Sequence, residues 1–200
     1  SVNKDLAMSF LDIMQQCKED DEIRAIYITG NGKAFCAGQD LKEVIDPDNG
    51  LELENIVSNH FNPMALSIYN MPKPVIAAVN GVAAGAGANL ALISDIIVAA
   101  ESASFIQAFS KIGLIPDTGG TYTLPRRVGF QKAMALAMLG DKVSASEAEQ
   151  MGMIYKCVSD DTFEETAFGI AVKLSKMPTK ALALTKAAFN KGLTSTFEEQ

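Results

Sequence analysis

Pro74-Val-Ile-Ala-Ala-Val-Asn-Gly-Val-Ala-Ala-Gly-Ala-Gly-Ala-Asn-Leu-Ala-Leu-Ile-Ser-Asp95 is the stretch whose reading decides the fold. Val75 to Val79 is apolar without alternation and is bounded by Pro74 and Asn80-Gly81, so it reads as a strand buried on both faces. A loop containing Gly81, Gly85 and Gly87 follows, and then a small-residue helix, Ala88 to Ile93. Between Gly81 and Ala88 side chains are nearly absent, which lets backbone approach a bound group closely. Free N–H groups at a helix start favour negative charge. This is hardware for either an oxyanion hole or a phosphate cradle.

On the N-terminal side, Asn3 is placed to cap a helix with Leu6, Phe10, Ile13, Met14 and Cys17 at helical spacing, ending in Glu19-Asp20-Asp21-Glu22. Ile23 to Thr29 reads as a strand, Gly30-Asn31-Gly32 as a turn, and Lys33 to Leu41 as a small-residue loop in which Asp40 caps the next helix. Residues 51–69 read as helix interrupted near Pro63. On the C-terminal side, strands are expected over Ile96–Ala99, Ser104–Phe109 and Gly152–Val158. A second Gly-rich segment spans Lys111 to Thr121. Helices are expected over Gln131–Met138, from Ser144 with Glu147 completing a capping box, and over Asp161–Lys176 and Thr179–Lys191. Strands apolar on both faces and alternating with helices predict an α/β fold with a largely parallel sheet. No internal linker divides the chain, so one domain over 1–200 is expected.

Composition excludes several classes. Hydrophobic residues make up 48% of the chain, yet no apolar run approaches the ~20 residues that span a bilayer, so no membrane partner is expected. A net charge of −7 without a basic cluster argues against nucleic acid. One histidine and scattered cysteines (Cys17, Cys36, Cys157) offer no transition-metal site and fit a reducing compartment, which predicts a cytoplasmic protein without a visible leader.

Three segments together resemble the crotonase, or enoyl-CoA hydratase/isomerase, family: Ala34-Phe35-Cys36-Ala37-Gly38-Gln39-Asp40-Leu41, Pro74 through Asp95, and Gly113 through Gly129. The resemblance implies a superhelix of ββα units with helical C-terminal elements, assembled as a homotrimer or dimer of trimers. It also implies an acyl-CoA thioester substrate, no cofactor beyond the CoA carried by that substrate, and an enolate held by two backbone N–H groups. By position these are Gln39 and Ala86, with Ala37, Gly38, Asp40, Gly85, Asn89 and Phe109 as further candidates for substrate contact. The family's first strand and its C-terminal helical segment are not matched within these residues.

Family hydratases carry glutamates where this chain has Asn89 and Phe109. Water addition needs one group to activate water and another to deliver a proton. The carboxylate on offer is instead Asp117, in Ile115-Pro116-Asp117-Thr118-Gly119-Gly120. Phenylacetate-pathway isomerases of the family, which convert ring-epoxidised phenylacetyl-CoA to an oxepin and shift double bonds in enoyl-CoA, have aspartate there. The segments around Asp117 and over Gly81–Ala88 are most similar to that subgroup. An acyl-CoA isomerase with Asp117 as its acid–base group is therefore expected. The alternatives are a hydratase, hydrolase or lyase of the same family, a non-catalytic acyl-CoA-binding subunit, and a dinucleotide-binding domain.

Plainer readings stand beside these. Asp117 before Gly-Gly-Thr also suits a helix cap. Asp40 reads as a cap rather than a catalyst, and Asn89 equally as a substrate contact or as a polar residue on a small-residue helix. His60 reads as a surface helix residue, Lys33 as solvated, and Cys36 as a packing residue without a base to activate it.

Overall fold

A computed structural model of the chain describes residues 1–40, 43 and 53–200. Eight strands among them are β1 (Ile26–Thr29), β2 (Ala34–Cys36), β3 (Val75–Val79), β4 (Val82–Ala84), β5 (Ile96–Ala100), β6 (Ser104–Ile106), β7 (Lys142–Ser144) and β8 (Lys156–Val158). They form two four-stranded sheets, in the orders β1-β3-β5-β8 and β2-β4-β6-β7. Every pairing is parallel except β6 with β7. Up to β6, consecutive strands alternate between the two sheets, so each turn of the chain adds one strand to each. This is the expected superhelix of ββα units, not a doubly wound dinucleotide-binding sheet.

The helices are α1 (Lys4–Glu19), α2 (Leu53–Ile56), α3 (Asn62–Tyr69), α4 (Ala86–Leu92), α5 (Gly120–Val128), α6 (Phe130–Leu139), α7 (Ala145–Gln150), α8 (Asp160–Ser175) and α9 (Thr179–Gly192). Asn3 caps α1, its side-chain oxygen accepting the Leu6 N–H at 2.9 Å. The inward face of α1 is Ala7 and Met14 with Phe10, Leu11 and Cys17. Leu6 and Ile13, expected to be apolar contacts, point outward instead, one helical step from that face. The buried Lys73 ammonium closes the other end of α1, donating to the Cys17 and Asp20 carbonyls at 2.6 and 2.7 Å.

The interruption expected near Pro63 is a π-helical turn, Val57–Phe61, joining α2 to α3. His60 lies in that turn and is buried rather than on the surface. Ser144 and Glu147 form the expected capping box at α7. The helix expected to follow Asp40 and the start of the 51–69 helix lie outside the described residues.

Four elements escaped the sequence reading, beginning with β2, which lies in the segment read as a loop and pairs with β4. β4 and β7 are three residues each, too short to show a period, and exist through pairing with β6. α5 starts at the end of the Gly-rich segment and runs beyond it to Val128, and it contains Pro125, a residue type that disfavours helix interiors. The strand expected to reach Phe109 ends at Ile106, and Phe109 lies in a 3₁₀ turn, Ala108–Ile112. α4 begins at Ala86, two residues earlier than read.

Val75–Val79 is buried at all five positions, between β1 and β5. One apolar cluster joins Ala77, Val79, Ile97, Phe105, Leu124 and Met153, and a second packs α1 on Ile56, Phe61, Met64 and Ile68. α4 is wholly buried against β2, β3, β4 and α5, and its N-terminus meets the ends of β2 and β4.

Candidate active site

The first loop is set by an unexpected partner. Val2 bridges to Gln39 as a parallel strand would: its N–H donates to the Gly38 carbonyl at 2.8 Å and its carbonyl accepts the Asp40 N–H at 2.9 Å. In extended backbone, alternate residues direct their polar groups to opposite sides. With Gly38 and Asp40 bonded to Val2, the Gln39 N–H is turned to the side away from Val2.

The second loop supplies the facing group. Gly85 precedes α4 in a conformation (φ +53) that favours glycine, and its N–H is held by the Ile106 carbonyl at 2.8 Å. Ala86 is the first residue of α4, and the geometry of a helix start leaves its N–H without an intrahelical acceptor. The two loops touch. A Cβ built on Gly38 would sit 3.0 Å from the Ala84 oxygen and 3.6 Å from the Ala86 nitrogen. Gly87 locks the contact from behind, since a Cβ there would lie 2.2 Å from the Cys36 oxygen. Ala37 is exposed, whereas Asp40 faces the N-terminus, where Ser1 Oγ donates to its carboxylate at 3.1 Å.

Phe109 is buried, with its ring edge 3.7 Å from where a Gly85 Cβ would be. An apolar ring thus stands beside the second loop.

Asp117 lies beside the middle of α4, against Asn89. Asn89, fully buried on that helix, donates its Nδ2 hydrogen to the Asp117 main-chain carbonyl at 2.9 Å, and Gln107 Nε2 donates to Asn89 Oδ1 at 2.8 Å. The Gly120 N–H also reaches the Asp117 carbonyl, at 2.7 Å. Thr118 Oγ1 donates to the Asp117 carboxylate at 2.7 Å. Burial pushes the Asp117 carboxyl above the ordinary carboxylate range; the Thr118 hydroxyl and its own backbone N–H oppose this only in part. No neighbouring charge among the described residues enters that balance. Thr118 has φ +52, a left-handed conformation that costs a β-branched residue about 1–2 kcal/mol.

Next to this loop, a cavity of about 420 Å³ is lined by Asn62, Ala65, Leu66 and Tyr69 of α3, Ile93, and Gly119 and Tyr122 of the Asp117 segment. Tyr69 and Tyr122 meet edge to face at 6.2 Å, and desolvation with the Tyr122 contact pushes the Tyr69 phenol up to about 12. Arg126 stacks on Tyr122, 3.6 Å from its ring centre.

The structure therefore brings together the loop of Gly38 and Gln39 with that of Gly85 and Ala86, Gly85 with Phe109, and Asn89 with Asp117, all around α4. His60 and Lys33 have no part in these contacts. The sequence reading missed Gln107, a polar residue just past a buried strand with nothing local to explain it, and the Tyr69–Tyr122 pair, which only tertiary packing joins. No cluster of three or more potential metal ligands occurs among the described residues, and no helix there is long and apolar enough to cross a membrane.

Comparison with known proteins bears on what this geometry serves. The family described as enoyl-CoA hydratase/isomerase matches residues 1–200. The chain is 46% identical to the 1,2-epoxyphenylacetyl-CoA isomerase of Escherichia coli, over all of this chain and 77% of that protein. It is 38% identical to the mitochondrial enoyl-CoA hydratase of Pongo abelii, over 91% of this chain and 61% of that one. The crystal structure of an enoyl-CoA hydratase from Bacillus anthracis superposes with a TM-score of 0.89 at 34% identity, covering 99% of this chain and 76% of that one. With touching glycine loops at the start of α4, a partly buried carboxylate beside its middle, and likeness along the whole sequence, this chain belongs to the enoyl-CoA hydratase/isomerase family, the crotonases.

Proposed function

We propose that this protein is an acyl-CoA isomerase in which Asp117 is the single acid–base group and the backbone N–H groups of Gln39 and Ala86 form the oxyanion hole. Its substrate class is ring-epoxidised phenylacetyl-CoA, 3-enoyl-CoA, or both. The observation that carries the reading is the asymmetry of the site. Asp117 is a carboxyl group made more basic by burial, while Phe109 and Asn89 occupy the two positions where a hydratase of this family would have glutamates. Water addition needs two proton-handling groups; isomerisation runs on one.

In the 3-enoyl case Asp117 removes a proton from the carbon next to the thioester. The electrons pass to the thioester oxygen, which the two N–H donors stabilise as a dienolate. The same carboxylic acid then returns the proton at the far carbon, leaving a 2-enoyl thioester and the enzyme unchanged. No redox or metal partner is needed. The loops of Ala37, Gly38, Asp40 and Gly85 are proposed to flank the thioester, with Phe109 as an apolar wall. The acyl group would extend into the cavity beside Gly119 and Tyr122, where aromatic and apolar side chains suit a phenyl ring. Location in the cytoplasm and a homotrimeric or dimer-of-trimers assembly complete the proposal. Large exposed apolar residues on α6 (Phe130, Met138, Leu139) and α9 (Leu184, Phe189) support the assembly.

The test is a panel of acyl-CoA thioesters followed by mass spectrometry, with Asp117→Asn alongside. Isomerisation without mass change, lowered ~10²–10⁴-fold in kcat by the substitution, is expected. A mass gain of one water, or release of free CoA, with Asp117→Asn still active would overturn the isomerase reading.

A further inference from the structure

We propose that Gln107 and Asn89 are positioning residues that together aim the Asp117 carboxyl group, an inference that rests on the role given to Asp117 above. The hydrogen bonds are forced in one direction. The Asp117 main-chain carbonyl can only accept, so the amide nitrogen of Asn89 must face it. Asn89 Oδ1 is then left facing Gln107, and it too can only accept. Gln107 must therefore present its own nitrogen, which it does at 2.8 Å. Each amide orientation follows from the one before, beginning at Asp117.

This ordered pair has a cost that packing alone does not explain. Turning its nitrogen to Asn89 leaves Gln107 Oε1 buried and without a partner among the described residues. A buried acceptor is expensive to leave unmatched, so the direction of the chain outweighs the satisfaction of its last member.

The loop that receives this bond needs an outside hold. Thr118 and Gly119 both have positive φ, at 52° and 75°, and a strained β-branched residue persists only where its surroundings fix it. Thr118 is also the residue whose hydroxyl bonds the Asp117 carboxylate, so any relaxation of its backbone would turn that carboxylate. Asn89 grips the loop one peptide before the strained residue. Gly120 leaves it the room: a Cβ there would fall 2.2 Å from Asn89 Nδ2. Asn89 has no exposure, and both ends of its amide are engaged by protein, so its contribution is to hold Asp117. The relay thus runs from the residue after β6 through α4 to the loop before α5.

Two substitutions disturb the relay by different routes. Gln107→Met keeps length and bulk, deletes the donor to Asn89, and removes the unmatched oxygen, which favours folding. Gly120→Ala deletes no polar group and suits the helix it begins, but displaces Asn89. In the full-length protein with a 3-enoyl-CoA thioester, each should lower kcat at least tenfold with KM within about threefold of the parent, thermal unfolding showing the fold intact. Each should add less than a further twofold loss in an Asp117→Asn background, because the effect passes through that carboxylate. If Asp117→Asn is inactive while either folded variant keeps kcat within threefold, the positioning role is overturned and the role of Asp117 stands. A rise in KM at constant kcat also overturns it, in favour of substrate contact. If Asp117→Asn retains parent activity, the base assignment fails first and the relay has nothing to aim.

Discussion

Asp117 concentrates the competing demands on this site into one side chain. Burial raises its pKa, and the sign of the stability effect follows. The neutral form is favoured in the fold, so the group's contribution is fully present below the ordinary carboxylate value near ~3.9 and is lost as pH rises through the higher folded value. At neutral pH the ionised carboxylate therefore destabilises the molecule. Asp117→Asn should melt at a higher temperature than the parent at pH 7, with the gap closing as pH falls toward the ordinary range. Equal melting temperatures throughout would mean the group is solvated. The same shift predicts that kcat/KM rises with pH through an apparent pKa above ~3.9, read from a pH–rate profile of the parent. The sequence showed that Asp117 stands among Ile115, Pro116 and glycines without an adjacent cation. It did not show Thr118 bonding the carboxylate, because that bond depends on a left-handed threonine that no propensity suggests.

At the level of elements, the two loops work through backbone, and predictions about them concern N–H groups and clearances rather than side chains. Ala86→Pro deletes one proposed oxyanion donor, worth about 2.7–4 kcal/mol in the transition state where such a donor has been removed elsewhere. It should abolish turnover, whereas Gln39→Ala keeps its N–H and should retain most of it. Steady-state kinetics of the pair decides this, and similar activity in both would remove the assignment. Gly87→Ala isolates the contact between α4 and β2. In an open helix the change would stabilise by roughly 1 kcal/mol, but here the new Cβ meets the Cys36 carbonyl at 2.2 Å. Denaturant unfolding should show a net loss of about 1–3 kcal/mol, the usual cost of overpacking. The glycine loops and buried β3 were legible because they are long or compositionally extreme. β4, the Val2–Gln39 bridge and the end of β6 at Ile106 were not, since each exists only through a distant partner.

For the molecule as a whole, α9 has no fully buried residue of its own and is tied down by a few polar contacts. Lys186 carries the main one. Its ammonium bonds the Ile68 carbonyl at 2.8 Å and pairs with Asp95 at 3.0 Å, while Asp95 also accepts the Val75 N–H at 2.8 Å. Arg24 holds the same helix from its start, bonding the Thr179 hydroxyl and the Met177 carbonyl at 3.0 and 2.6 Å. Lys186→Met should cost about 1.5–3 kcal/mol, the worth of hydrogen bonds to charged groups. Amide exchange in α9 should rise well before that of β3. Exchange rising equally in both would show that α9 is not a separate unit. For the proposed assembly, sedimentation of the full-length protein should give a trimer or hexamer at micromolar concentration, and a monomer there would count against it. None of these long-range ties has a local signature, and for that reason the sequence conveyed the succession of helices and strands better than their grip on one another.

The order of strands in the two sheets has a consequence for biosynthesis. β1, β3, β5 and β8 lie side by side in the order in which they are made, and β2, β4, β6 and β7 do the same in the other sheet. No strand has to be inserted between two already paired. Each new turn leaving the ribosome docks on an edge completed moments before, and the nascent chain can wind itself up vectorially without waiting for its C-terminus.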